Sequence, residues 1–147
     1  MAKISFELVT PARVVHSDDA VDMVIAPGVD GLLGILPSHA PLLAALGIGE
    51  LRLKKGDDEE SFAVHGGFVE VLANKVIVMA YSAERAEEID VTRAEEARER
   101  AEQRAREKPE GLDMGRLQAA LRRSRVRLKV ARQRRRRPRM EMERDER

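Results

Sequence analysis

Cysteine and tryptophan are absent from this 147-residue sequence, and its aromatic residues are three Phe and one Tyr. Without cysteine there is no disulfide framework, no thiolate metal site and no thiol nucleophile. With so few rings, any core has to be built from Val, Ile, Leu, Met and Ala. No apolar run approaches the roughly 20 residues that a membrane-spanning helix needs. The opening residues MAKISFELVT lack the charged-then-apolar layout of a secretory signal. The chain is therefore expected to be intracellular and to meet a membrane only through partners. The histidines His16, His39 and His65 share no metal-ligand spacing. Ser38-His39 is no triad, because adjacency in sequence is not the geometry that activates a serine. GVDGLLG lacks the Lys-Ser/Thr ending of a phosphate loop. Neither a catalytic site nor a metal site is expected.

What is present is charge, divided along the chain. Residues 1–89 hold 7 Lys/Arg and 14 Asp/Glu, a net −7, whereas residues 90–147 hold 20 Lys/Arg and 12 Asp/Glu, a net +8. Two blocks of opposite sign point to two units with separate partners, or to each other as partner.

The acidic block reads as strands. Ile4, Phe6 and Leu8 alternate with Ser5 and Glu7, and Val21, Met23 and Ile25 alternate with Asp22 and Val24, the period-two mark of a half-buried strand. Short β-like runs follow at 49–54, 61–65, 67–72 and 75–80, with breaks expected at GDDEE (56–60), Gly66-Gly67 and Asn74. Many short strands with close turns predict a sandwich or barrel. The stretch APGVDGLLGILPSHAPLLAAL, rich in Gly, Pro and apolar residues, is expected to be a long exposed loop leading into a buried segment.

From Asp90 the composition turns to Ala, Glu and Arg, strong helix formers. Val91, Ala94, Ala97, Ala101 and Ala105 make a narrow seam of small residues, and Lys108-Pro109-Glu110-Gly111 stops the helix. A second helix is expected from an Asp113 N-cap to about Arg137, where Pro138 ends it, with Leu117, Leu121, Ser124 and Leu128 in its seam and Met114 and Ala131 beside it. Two helices joined by a short loop pack antiparallel. Its three seam leucines contribute roughly 1.5–3 kcal/mol each if fully buried, so the hairpin is weakly held and suited to a switch. The expected fold is α+β: an antiparallel β-sandwich over 1–88, an antiparallel two-helix hairpin over 89–137 and a disordered tail over 138–147.

Three stretches, GLLGILPSHAPLLAAL (31–46), GGFVEVLANKVIVMAYSAERAEEID (66–90) and IDVTRA (89–94), stand in an order that resembles the epsilon-subunit family of bacterial F-type ATP synthases. The resemblance covers about residues 3–131. It implies a non-catalytic subunit whose sandwich sits at the foot of the central stalk, bound to the gamma subunit and the membrane c-ring, on the cytoplasmic face of the cell membrane. It also implies that the hairpin either folds down or extends up the stalk, where it meets the catalytic beta subunit and blocks ATP hydrolysis. A stretch of helix this long would reach about 70 Å at 1.5 Å per residue.

No cofactor is required on this reading, but the family's ATP-binding members imply a regulatory ATP site. Their pattern corresponds here to Glu84, Ile89, Asp90, Arg93, Ala94, Arg123 and Arg127. Arg123 and Arg127 stand at i and i+4, so both guanidinium groups face one way and suit phosphate oxygens. Ile89 would pack on the base. Asp90 is equally a helix N-cap. The resemblance further assigns Asp30, Leu32, Leu33 and His39 to the gamma and c-ring interface, and Arg122, Arg123, Arg125 and Arg127 to the beta subunit. Many relatives carry an acid where Leu32 stands, and Asp30, two residues earlier, is its potential substitute. Leu32, Leu33, Ile35 and Leu36 are open to either a core or an interface role. The rival reading rests on residues 122–139, with ten Arg, Lys129 and no acid. Such a helix could bind nucleic acid by counterion release, although no aromatic is interleaved for base stacking.

Overall fold

The structure of the chain, a computed structural model, describes residues 2–136. The tail expected over 138–147 lies outside the described residues. The chain divides into two compact units, the first ending at Arg85 and the second beginning at Ala86.

Among the described residues of the first unit are eight strands: β1 (Ile4–Val9), β2 (Val14–Val21), β3 (Met23–Gly28), β4 (Gly31–Ile35), β5 (Leu42–Lys55), β6 (Asp58–Leu72), β7 (Lys75–Ala80) and β8 (Ala83–Arg85). Their hydrogen-bonded order is β2-β1-β7-β6-β5-β3-β4, with β8 pairing to β6. All pairs are antiparallel except β1 with β7. The strands form a β-sandwich because β5 and β6 are long enough to serve both layers. The second half of β6 pairs with β7, and its first half pairs with β8. Lys55 Nζ on β5 donates to Asp18 Oδ2 on β2 at 2.7 Å, and the Arg85 guanidinium on β8 donates twice to the Val15 carbonyl on β2, at 2.9 and 2.7 Å. Edge strand β2 is thereby tied to strands far from it in the sheet order.

The core is aliphatic, as the shortage of rings requires. Ile4, Leu8, Val24, Leu51, Leu53, Val64, Val69, Val76 and Val78 fill it around Phe6 and Phe62. The alternation read in β1 holds, with Ile4, Phe6 and Leu8 all buried. Three details differ from the sequence reading. Asp22 interrupts the run Val21–Ile25, separating β2 from β3, where its carboxylate accepts from the Gly56 amide at 2.6 Å and from Lys3. Gly66-Gly67 is a bend inside one continuous strand and not a turn between two. The stretch expected as a loop is mostly the β3–β4 hairpin and the start of β5; only Leu36–Pro41 between them is irregular. Pro27 fits in β3 because the register with β5 shifts between Ile25 and Gly28, where its missing N–H is not needed. A Cβ on Gly49 would meet the Pro27 ring at 2.5 Å.

His16 lies between the rings of Phe62 and Phe6, with centroids 5.1 and 6.3 Å away, and its Nε2 is 3.3 Å from Glu60 Oε2. Burial pushes its pKa below the ordinary 6.5; Glu60 and Asp18 pull upward, and Arg85 and Lys55 push further down. With the folded value below the unfolded one, protonation favours the unfolded chain. The sandwich should therefore keep this stability above about pH 6.5 and lose it as the pH falls from there toward the folded value. Chemical denaturation at a series of pH values, on the natural chain and on His16→Gln, should show that slope flattened in the variant.

In the second unit a single 3-10 turn (Ala86–Glu88) precedes α1 (Val91–Glu107) and α2 (Met114–Arg136), and the two helices pack on each other. Both expected N-caps are present: the Arg93 amide donates to Asp90 Oδ1 and the Arg116 amide to Asp113 Oδ1, each at 3.1 Å. Lys108, left-handed at φ 44°, ends α1 by donating its amide to the Arg104 carbonyl. Ala94, Ala101, Leu117, Ser124, Leu128 and Ala131 of the expected seams are buried, whereas Met114 is exposed.

Candidate functional site

The β3–β4 hairpin carries the first group of predicted interface residues. Its tip is tight: a Cβ on Gly28 would sit 2.7 Å from the Gly31 carbonyl, and Gly31 has φ 128°. Val29 and Asp30 project at this tip, both exposed. Strand alternation then divides the apolar residues. Leu33, opposite Ala26, and Ile35, opposite Val24, turn to the core, while Leu32 is 69% exposed and Leu36, just beyond the strand, is 56% exposed. Leu32, Leu36 and Val29 are thus available to a partner, and Leu33 is chiefly a packing residue.

The following loop is braced from the strands. Asn74 Oδ1 accepts from the Ser38 amide at 2.5 Å, and the Asn74 carbonyl accepts from the Ser5 amide at 2.9 Å. The His39 amide donates to the Leu36 carbonyl at 3.2 Å, and its ring Nδ1 lies 2.7 Å from the Ala40 carbonyl, so this nitrogen carries the proton. Half-buried His39 shapes the loop. Sequence reading assigned Asn74 to a turn alone and missed its role as the peg for Ser38.

A second surface was not foreseen. On the face of β5, β6 and β7 away from the core, Phe68 stands beside Met79 and Ala45, and Leu43 stands in register with Glu70 and Ile77. Leu43 is 69% exposed, Leu72 55%, Phe68 43% and Met79 40%, an apolar sheet face in the open. The signal lay in GFVEVL: Val69 and Val71 face the core, while Phe68 and Leu72 place apolar side chains on the other side as well.

The predicted nucleotide residues fall in both units. Glu84 is half-buried on β8 of the first unit. In the second, Ile89 is buried, Asp90 caps α1, Arg93 is exposed and Ala94 is buried. The register of the helices is marked by Arg132, whose guanidinium lies 3.8 Å from Glu95 near the start of α1. Arg123 is about 13 Å further along α2 at 1.5 Å per residue. It lines a cleft of about 700 Å³ toward the interhelix loop, with Arg100 and Arg104 of α1 and Arg116 of α2. Arg127 is half-buried, and Arg122 and Arg125 are exposed. The structure therefore brings Arg123 beside Arg100 and Arg104, and the start of α1 beside the far end of α2. Among the described residues no group of three or more His, Cys, Asp or Glu could hold a metal ion, and no helix is long and apolar enough to cross a membrane.

Residues 3–86 match the family model for the ATP synthase delta/epsilon chain β-sandwich domain, and residues 87–132 match that for its long α-helix domain. The chain belongs to the ATP synthase delta/epsilon chain family. Within that family it is similar to bacterial epsilon chains along nearly their whole length. The ATP synthase epsilon chain of Moorella thermoacetica is 52% identical over 89% of this chain and 98% of its own. That of Dehalococcoides mccartyi is 50% identical over 94% and 99%. The fold also resembles a chain of the Euglena gracilis mitochondrial ATP synthase OSCP/F1/c-ring assembly, with TM-score 0.65 and 21% identity over 89% of this chain and 78% of that one. Like the epsilon chains, this ATP synthase subunit is non-catalytic. The helical family model extends through residue 132, so residues 122–132 of the basic stretch 122–139 lie within the family's helical domain.

Proposed function

We propose that this epsilon chain works in the central stalk of a bacterial F-type ATP synthase, peripheral to the cytoplasmic face of the membrane, and couples proton transport to ATP synthesis. The observation that carries this reading is the pair of exposed apolar surfaces on a rigid sandwich. The Leu43–Phe68–Met79 face spans three neighbouring strands, suited to lie against the gamma subunit. The Val29–Leu32–Leu36 hairpin is a narrow projecting tip, suited to the c-ring, with Asp30 as its polar contact. Replacing Leu43 and Phe68 together with Glu should abolish co-purification with gamma while the isolated chain stays folded, since both side chains are already exposed. Undiminished co-purification would place gamma elsewhere.

The finer proposal is regulatory. When the helices extend, they carry Arg122, Arg123, Arg125 and Arg127 up the stalk to an acidic segment of the beta subunit, and ATP hydrolysis is inhibited. ATP opposes this by binding the folded hairpin. An extended nucleotide lying along the α1–α2 groove would have its base toward Ile89 at the start of α1, where the second Asp90 oxygen could accept from its amino group. Its phosphates would reach toward Arg127 and Arg123, with Arg93 back near the base at the start of α1. Ligand at about 100 times its dissociation constant would favour the folded form by roughly 2.7 kcal/mol, about a hundredfold in population. Calorimetry on the purified chain should detect ATP binding without hydrolysis, and Arg123→Ala and Asp90→Ala should each weaken it. No heat of binding at millimolar ATP would leave Asp90 as a cap alone.

A further inference from the structure

The hairpin has a second basic cleft, separate from the one that Arg123 lines. Its volume is about 400 Å³, and it is lined by Arg98 of α1 and by Arg125, Leu128, Lys129, Arg132 and Gln133 of α2. No acid is among these residues. Two of its cations already have an acid beside them: Arg98 Nε pairs with Glu102 and Arg132 with Glu95, each at 3.8 Å, longer than a hydrogen bond. Arg98 lines the cleft from α1 with its side chain 31% exposed, although its Nε is enclosed and makes no hydrogen bond among the described residues. Arg125, Lys129 and Arg132 recur at i, i+4 and i+7, one row along one face of α2, about 10 Å from end to end.

We propose that this cleft binds a short inorganic polyphosphate, a chain of about three phosphates on the length of that row. A linear anion with charge on every link meets a linear row of cations, and the planar guanidinium of Arg98 approaches from the opposite helix with donors matched to phosphate oxygens. Leu128 is the one apolar side chain in the lining, and no ring lines it, so a nucleotide base has no platform here. The bound chain joins α1 to α2 and therefore favours the closed hairpin by mass action. Neither Asp90 nor Arg123 takes part, so the inference stands apart from the ATP proposal.

The test is a calorimetric titration of the full chain with inorganic tripolyphosphate at physiological salt. Replacing Arg98 and Lys129 together with Gln should weaken binding by about tenfold or more, since two charge-assisted contacts are lost. Replacing Arg106 and Lys108 with Gln removes the same charge from exposed positions outside the cleft and should change the affinity by no more than about twofold. Circular dichroism on both variants checks that the helices are intact, and Lys129→Gln alone, at an exposed position, serves if the double variant does not fold. Equal weakening by the two pairs would overturn the proposal in favour of diffuse attraction, and unchanged affinity in the cleft variant would overturn it outright. An acidic peptide that displaces tripolyphosphate at equal concentration, with the same sensitivity to Arg98 and Lys129, would also overturn it and assign the row to a protein partner.

Discussion

A complex assembled with the chain truncated after Glu88 is expected to hydrolyse ATP several-fold faster than the natural complex at low ATP, and to retain coupled synthesis. The truncated piece should fold because the sandwich core is complete within it: every residue of the buried cluster lies between Ile4 and Ala83. The cut also spares Arg85, whose guanidinium holds the Val15 carbonyl and ties β8 to β2. The piece loses α1 and α2, and with them Arg122, Arg123, Arg125 and Arg127, which the proposed inhibition requires. Both proposed docking surfaces stay, since Leu32, Leu36, Leu43, Phe68 and Met79 all precede the cut. Hydrolysis assays of the reconstituted complex, paired with ATP synthesis in energised vesicles, give the two readings. Hydrolysis unchanged at low ATP would remove the hairpin from the inhibitory role. Lost synthesis would mean that coupling needs the helices.

Replacing Gly67 with Ala should cost the sandwich a few kcal/mol, a large share of the roughly 5–15 kcal/mol that holds a typical domain together. Gly67 has φ 128°, a conformation that side-chain-bearing residues rarely adopt, and its place would force a Cβ onto the Met79 carbonyl oxygen and to within 2.8 Å of Ala80 Cα. Both obstacles are backbone, and Gly67 pairs with Ala80, so relief requires β6 and β7 to part. Strain of this kind costs about 1–3 kcal/mol before any displaced packing is counted. Gly47, on β5 beside the same bend, is the control: a Cβ there meets nothing within 4 Å, and Gly47→Ala should be nearly neutral. Tyr81, the single tyrosine in a chain without tryptophan, gives a near-ultraviolet signal from the sandwich alone, so urea unfolding can be followed without interference from the helices. Equal stability of the two variants would show that β6 and β7 accommodate a side chain at Gly67 without strain.

Local chemistry made the helical half readable in detail. Asp90 and Asp113 cap their helices because a side-chain oxygen in that position satisfies an amide the helix leaves open, a rule that needs no tertiary context. Lys108 caps α1 and Pro109 bars its continuation by equally local means. Period-two alternation likewise located β1, and the aliphatic core followed from the missing rings. Long-range pairing decided the rest. Gly66-Gly67 and Gly28–Gly31 carry the same turn signal, yet the first is a bend within a strand and the second a hairpin tip, because only the partner strands determine whether pairing continues across a glycine. Leu32 and Leu33 are the same residue type side by side, and the register of β4 on β3 turns one outward and the other inward. The apolar face at Leu43, Phe68 and Met79 became visible when β5, β6 and β7 were aligned, since those residues are far apart in sequence. The placement of Arg123 beside Arg100 and Arg104 depends on the antiparallel register of the hairpin. Helical periodicity fixes which way a side chain points around its own axis, but packing alone decides which residues of the other helix stand opposite it.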